Sequence, residues 1–169
     1  MMPGSVAPAN SRSRSAAWLP MGIALLAALL HGIIYLLIIP PWQHYDEPNH
    51  FEVVWWVAEH GRFPAQGDSD PVFNTRVVES MVENDFYAHM GFLPDLSQPV
   101  QRMPGISQYD EQPLYYYLAA IPVMLLSSAS VETQLYGARV ISLLLFLLTV
   151  LAGWGIACEL FPAGHFLRW

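Results

Sequence analysis

The sequence predicts an all-α membrane protein, with two transmembrane helices and a long external loop that carries amphipathic and juxtamembrane helices. Three observations lead there. Of the 169 residues, 54% are apolar and only 12% are charged. The apolar residues are also gathered, so that residues 21–39 (MGIALLAALLHGIIYLLII) and 140–158 (VISLLLFLLTVLAGWGIAC) each give 19 positions without a formal charge. At about 1.5 Å per residue, each run reaches roughly 28 Å as a helix, close to the thickness of a hydrocarbon core. Finally, the net charge of −7 is unevenly spread: positions 43–112 hold twelve acids against Arg62, Arg76 and Arg102, a balance of −9, and the remainder is +2. With no basic patch anywhere, nucleic acid is not an expected partner.

In chain order, residues 1–16 are small and polar with Arg12 and Arg14, the composition of a disordered tail. Those arginines precede the first apolar run, so the positive-inside rule puts the N-terminus in the cytoplasm and residues 42–112 outside a cell inner (plasma) membrane that the chain crosses more than once. Residues 17–41 form the first span. A cleaved signal peptide has a shorter apolar region followed by a small-x-small site, whereas Ile39-Pro40-Pro41-Trp42 follows here, so the run is read as a retained anchor. His31 lies inside that span with Tyr35 one turn later. It is either a functional ionisable group or a neutral histidine bonded to Tyr35 or to a neighbouring helix.

Outside, residues 48–60 have helical periodicity. Phe51, Val54, Trp55 and Ala58 make an apolar stripe, with Asn49, Glu52 and Glu59 opposite it, which predicts an amphipathic helix lying on the membrane surface. Asp46 or Glu47 is its N-cap, Pro48 sits in its first turn, and Gly61 ends it. From Gly61 to Asp110 the chain is rich in prolines, with residues 75–90 able to form a second short helix. Residues 113–129 are apolar but short for a span and carry Pro122, so they either cross marginally or lie in the interface. Residues 139–160 give the second full span, and residues 161–169 a truncated end. The lone Cys158 cannot form an internal disulfide, so the external loop is ordered by packing and membrane contact.

Asp46 and Glu47, adjacent carboxylates where the apolar run stops, are the candidate centre of chemistry. Three roles are open to them: general base toward an acceptor hydroxyl, part of an oxygen-rich Mg²⁺ or Mn²⁺ site with His50, or a plain helix cap that complements the dipole. No GxGxxG, GxxxxGK[ST], HExxH, CxxC or GxSxG motif is present, which argues against nucleotide-binding, zincin and hydrolase readings. His44, His50 and His60 read as interfacial polar groups or as a metal cluster. Tyr115, Tyr116 and Tyr117 read as an aromatic belt or a sugar-stacking platform. Arg139 either pairs with a phosphate or snorkels from the end of a span.

The ordered set is a first span ending in Pro40-Pro41, the Asp46-Glu47 pair, an aromatic helix ending in Gly61-Arg62-Phe63-Pro64, and then Gln112-Pro113-Leu114-Tyr115-Tyr116 followed by Gly137-Ala138-Arg139 and a long span. From about Leu25 onward this resembles the N-terminal part of the GT-C superfamily of polyprenyl-phosphate-sugar-dependent membrane glycosyltransferases. The stretch from Pro40 to Phe51 is most similar to a bacterial family of uncharacterised membrane proteins related to dolichyl-phosphate-mannose protein mannosyltransferases. The resemblance implies that Asp46, with Glu47 beside it, is the base for the acceptor. It also implies that Glu111, Gln112 and Tyr115 begin a juxtamembrane helix facing the catalytic cavity, and that a sugar on an isoprenoid phosphate is transferred on the outer face with inversion. His50, Glu111, Gln112, Tyr115 and Arg139 are then the substrate-binding candidates, membrane lipid and the lipid-linked sugar are the partners, and a divalent cation is the one cofactor to consider. Such enzymes have around ten or more spans, so this chain is expected to be an N-terminal portion that is inactive alone. The contrasting expectation is a small membrane-anchored interaction protein, or an inactive fragment, whose Asp46-Glu47 pair only caps a helix.

Overall fold

The computed structural model describes residues 11–44, 46–103, 108 and 113–161, with side chains from residue 18 onward. Among these, the architecture is all-helical: α1 (Ser11–Ile38), α2 (Glu47–His60), α3 (Pro71–Glu83), α4 (Leu114–Leu125) and α5 (Val131–Leu160). Two of the helices are long and apolar enough to cross a membrane, Trp18–Ile38 within α1 and Val131–Leu160. The chain divides into two compact units, one made of Ile34–Leu144 and the other of Met1–Ile33 with Leu145–Trp169. The second unit carries residues 18–33 of the first apolar helix and residues 145–160 of the second. The first holds the packed core and every candidate site residue described below.

Helix α1 starts at Ser11, so residues 11–16, expected as disordered tail, are helical. The backbone ladder needs no apolar side chains, and a helix can run past the end of its apolar stretch until something breaks it. Helix α5 likewise begins eight residues before the expected span. Ser130 explains this, because its hydroxyl accepts from the Thr133 amide at 3.3 Å and its carbonyl accepts from the Gln134 amide at 3.0 Å. That is an N-cap just ahead of Glu132, an acid in the first turn where the helix dipole favours it.

Helix α3 occupies 71–83 rather than 75–90. Asp70 is its N-cap, with Oδ1 accepting from the amides of Val72 and Phe73 at 2.9 Å each, and Pro71 takes the first helical position, where its missing N–H costs nothing. Its C-terminal end is followed by a turn in which Asp85 adopts φ 60°. Helix α2 ends at Gly61, which adopts the left-handed φ of 67° and donates its N–H to the Val57 carbonyl at 2.9 Å.

The stripe expected to face away from the membrane on α2 does not stay outside. Asn49 is buried and Glu52 is only 7% exposed, whereas Glu59 remains exposed. Every residue of 48–57 except the half-buried His50 is in fact buried, so α2 is the central helix of its unit and not a surface helix with one wet face. On one side Phe51 and Trp55 meet Phe73 of α3, with the Trp55 and Phe73 rings stacked at 4.0 Å and 10°. On another, α2 meets α4, whose buried positions Tyr116, Ala119, Ala120 and Val123 follow a one-face helical spacing.

Helix α4 has 12 residues and so reaches only about 18 Å, well short of a hydrocarbon core. It ends in a turn over 126–130, from which α5 departs. At the crossing Gly137 of α5 packs closely: a Cβ there would lie 2.9 Å from Leu126 Cδ1 and 3.3 Å from Pro122 Cβ. The irregular segment 84–103 is tied down by hydrogen bonds from the Val100 amide to Thr75 Oγ1 at 2.9 Å and from Ser69 Oγ to the Gln101 carbonyl at 2.6 Å. Tyr87 and Met103 enter the core.

Candidate functional site

The candidate site is built where α1 stops, α2 starts and α5 passes. Pro40 and Pro41 end the first apolar run, and Trp42 then takes a left-handed φ of 69° that no other feature of a tryptophan favours. Its surroundings hold it there. The Trp42 amide donates to Glu47 Oε2 at 2.9 Å, and its indole N–H donates to Ser80 Oγ at 2.8 Å, with the ring fully buried against Phe51. Ser80 in turn donates to Glu132 Oε1 of α5 and accepts from the Asn84 amide.

Glu47 is the hub of this junction. Arg139 Nε donates to Glu47 Oε1 at 2.7 Å and Nη2 donates to Oε2 at 2.8 Å, a two-pronged pair whose side chains are 11% and 13% exposed. Two further guanidinium N–H groups close off the end of α1: Nη1 donates to the Ile39 carbonyl at 2.7 Å and Nη2 to the Pro40 carbonyl at 3.0 Å. One cation therefore joins the C-terminal carbonyls of α1 to the first turn of α2, favourable for charge at both helix ends.

Asp46, one residue earlier, is placed differently. It occupies the N-cap position of α2, and its backbone carbonyl accepts from the Asn49 and His50 amides at 3.1 Å each. Its carboxylate makes no capping hydrogen bond to the helix and is 62% exposed. The neighbour it does have is His50, one turn on, whose Nε2 lies 3.3 Å from Asp46 Oδ2. The other ring nitrogen of His50, Nδ1, is 2.7 Å from the hydroxyl of Tyr116 on α4, and the two rings stack at 5.9 Å. Phe63 meets the edge of Tyr116, so the far end of this chain of contacts is packed and only the Asp46 end is open.

Behind the junction lies a second carboxyl, Glu52. It has no cation close enough for an ion pair among the described residues, and burial pushes it up to about 7, with the hydrogen bond from Asn74 pulling it the other way. Asn74 is itself fully buried. Its amide donates to Ser69 Oγ at 3.1 Å, and its Oδ1 has no hydrogen-bond partner among the described residues. A separate groove of about 360 Å³ is lined by Trp55, Glu59, Arg76, Val123, Met124 and Gln134, among others. The Gln134 amide N–H₂ donates to the carbonyls of Ser127 and Ala129.

Of the residues singled out from sequence, the structure brings Asp46, Glu47, His50 and Arg139 to one junction. It divides them into a locked pair, Glu47 with Arg139, and an open one, Asp46 with His50. Tyr115 points elsewhere, its hydroxyl 2.9 Å from Ser142 Oγ on α5. His44 pairs with Tyr35, and His60 stacks on Trp56 at 4.0 Å. Glu111 and Gln112 lie outside the described residues. Among the described residues no three His, Cys, Asp or Glu side chains gather as a metal would need, and Glu47 has both oxygens engaged by Arg139 and Trp42.

From sequence, Tyr116 is read only with its two neighbours as a belt or sugar-stacking platform, Glu52 only as part of a polar stripe, and Asn74 is not singled out. Tyr116 was within reach, since its spacing with Ala119, Ala120 and Val123 marks it as the inward-facing tyrosine of three. No local pattern brings it to His50, 66 positions away. No protein-family model matches the chain, nor does any curated protein or solved structure.

Proposed function

We propose that this chain supplies the acidic-loop part of an integral membrane glycosyltransferase. In this reading the enzyme moves a sugar from a polyprenyl-phosphate carrier to an acceptor hydroxyl on the outer face, and Asp46 is the base. The observation that carries the reading is the condition of the Asp46 carboxylate: it heads a helix without capping it, stays open, and sits beside a Glu47 that is fully occupied. A residue whose only role was capping would turn its oxygens onto the N2 or N3 amide.

The chemistry balances with this one carboxylate. The acceptor oxygen attacks the anomeric carbon as its proton passes to Asp46. The bond from that carbon to the carrier phosphate breaks, and the phosphate leaves with the electron pair, inverting the sugar. Glu47 and Arg139 hold the loop in place and take no part in the transfer. In this reading the junction lies at the outer surface of an inner (plasma) membrane, with the arginine-bearing N-terminal segment on the cytoplasmic side; two helices long and apolar enough to cross a membrane support the membrane part of it.

The test is sugar transfer from polyprenyl-phosphate donors by the longest reading frame that contains this chain. Asp46→Asn should lower transfer by roughly 10²- to 10⁴-fold, the usual contribution of a general base, with membrane insertion unchanged. Full activity in that variant refutes the assignment. Absence of transfer by the unmutated protein favours instead a membrane-anchored binding module, whose exposed Glu59, Glu79, Glu83 and Asp85 would be the surface to test for a partner.

A further inference from the structure

We infer that His50, held between Tyr116 and Asp46, is a positioning residue that fixes which oxygen of Asp46 meets the acceptor. The inference rests on the reading of Asp46 as base. The two ring nitrogens of His50 have different neighbours, a carboxylate oxygen 3.3 Å from Nε2 and a phenol oxygen 2.7 Å from Nδ1. A carboxylate can only accept, whereas a tyrosine hydroxyl can donate. The neutral ring therefore suits both neighbours in one arrangement alone: the proton sits on Nε2, facing the carboxylate oxygen Asp46 Oδ2, and the Tyr116 hydroxyl donates to Nδ1. Which nitrogen is protonated is set by the partner of the other one.

Two consequences follow for Asp46. Its Oδ2 faces the imidazole at 3.3 Å, so Oδ1 is the oxygen left to receive the acceptor's proton. Its side-chain torsion is also restrained by a ring anchored at its other end, because His50 bonds to and stacks on Tyr116, and Tyr116 is buried and packed by Phe63. An exposed carboxylate at a helix start would otherwise sample several rotamers. The link reaches from the open end of α2 to α4, so the orientation of the base depends on the α2–α4 packing. His50 does not touch the reacting atoms.

Ring-¹⁵N histidine spectra of the full chain in detergent micelles read the arrangement without any assay, with the His50 signals identified by their loss in His50→Gln. At a pH where the ring is neutral, His50 should carry its proton on Nε2, and Tyr116→Phe should move the Nδ1 signal. A proton on Nδ1, or a spectrum unmoved by Tyr116→Phe, overturns the inference.

Transfer assays on the longest reading frame containing the chain give the second arm. His50→Ala should lower kcat roughly a hundredfold, as expected for a misplaced reacting group. KM for the polyprenyl-phosphate sugar should stay within about twofold, because ground-state binding is untouched. His50→Gln, whose amide N–H₂ falls near the place of Nε2–H, should recover about tenfold of that loss, the scale on which orientation alone acts. A His50→Gln variant no better than His50→Ala also overturns the inference. If the Nε2–H form is found and the unmutated protein transfers no sugar, the held orientation of Asp46 is supported and the glycosyl-transfer reading fails on its own.

Discussion

A guanidinium that is 11% exposed must find partners or cost several kcal/mol, and Arg139 finds them in Glu47, Ile39 and Pro40. Removing one member of such a pair leaves the other charge buried and alone. Glu47→Ala or Arg139→Ala should each destabilise the protein by about 3–5 kcal/mol, and the double variant by much less than the sum, read as chemical or thermal unfolding in micelles. Single losses that simply add would mean the pair is not coupled.

Glu52 shows the reverse case, a buried carboxyl without a cation. Its folded-state value of about 7 lies above the ordinary 4.5, so the folded protein holds a proton that the unfolded chain releases. Stability is therefore fully present below pH 4.5, falls as pH rises to about 7, and is flat above. Glu52→Gln should remove that slope and stabilise the protein at pH 8 by on the order of 3 kcal/mol relative to the unmutated chain. Unfolding curves for the two proteins across that range decide it, and parallel pH profiles would contradict it.

At the scale of elements, the crossing of α4 and α5 is set by the absence of a side chain at Gly137. Gly137→Val should cost about 1–3 kcal/mol through forced shifts of Pro122 and Leu126, whereas Gly137→Ala should cost less, because the nearer contact is the flexible end of Leu126. Relative melting temperatures of the two variants read the difference.

Some helix ends carry a local signal. Asp70-Pro71 starts α3 and Ser130 with Glu132 starts α5, although both expected starts lie later, and Gly61 closes α2 as expected. Both apolar runs were legible for the same reason, because length and lack of charge are properties of a single stretch. The face that α2 buries was not. Asn49 and Glu52 look like a solvent stripe in a helical projection, and only the arrival of α3, with Asn74 as a partner, makes a place for Glu52 inside. The roles of Asp46 and Glu47 were equally undecidable from two adjacent letters. Their difference is made by Arg139, 92 positions on, and by Trp42 in its left-handed turn.

At the scale of the whole molecule, one compact unit gathers the turn after α1, the central α2, the short α4 and the start of α5, so the junction is held from four sides. The two long apolar helices leave most of their large side chains uncovered, Leu26, Ile34, Leu37, Leu144, Leu148 and Ile156 among them. Such a surface needs an apolar surrounding, and lipid supplies one. Under the proposed function, a base at the edge of such a layer would meet a lipid-linked donor and a water-borne acceptor at the same depth, which is the physical reason transfer is proposed there.

The most direct measurement is transfer of sugar from a polyprenyl-phosphate donor by membranes carrying the longest reading frame that contains this chain, compared between the unmutated protein and Asp46→Asn. The account predicts transfer by the first and a loss of roughly 10²-fold or more in the second, at equal amounts of inserted protein. Equal transfer by both would contradict it.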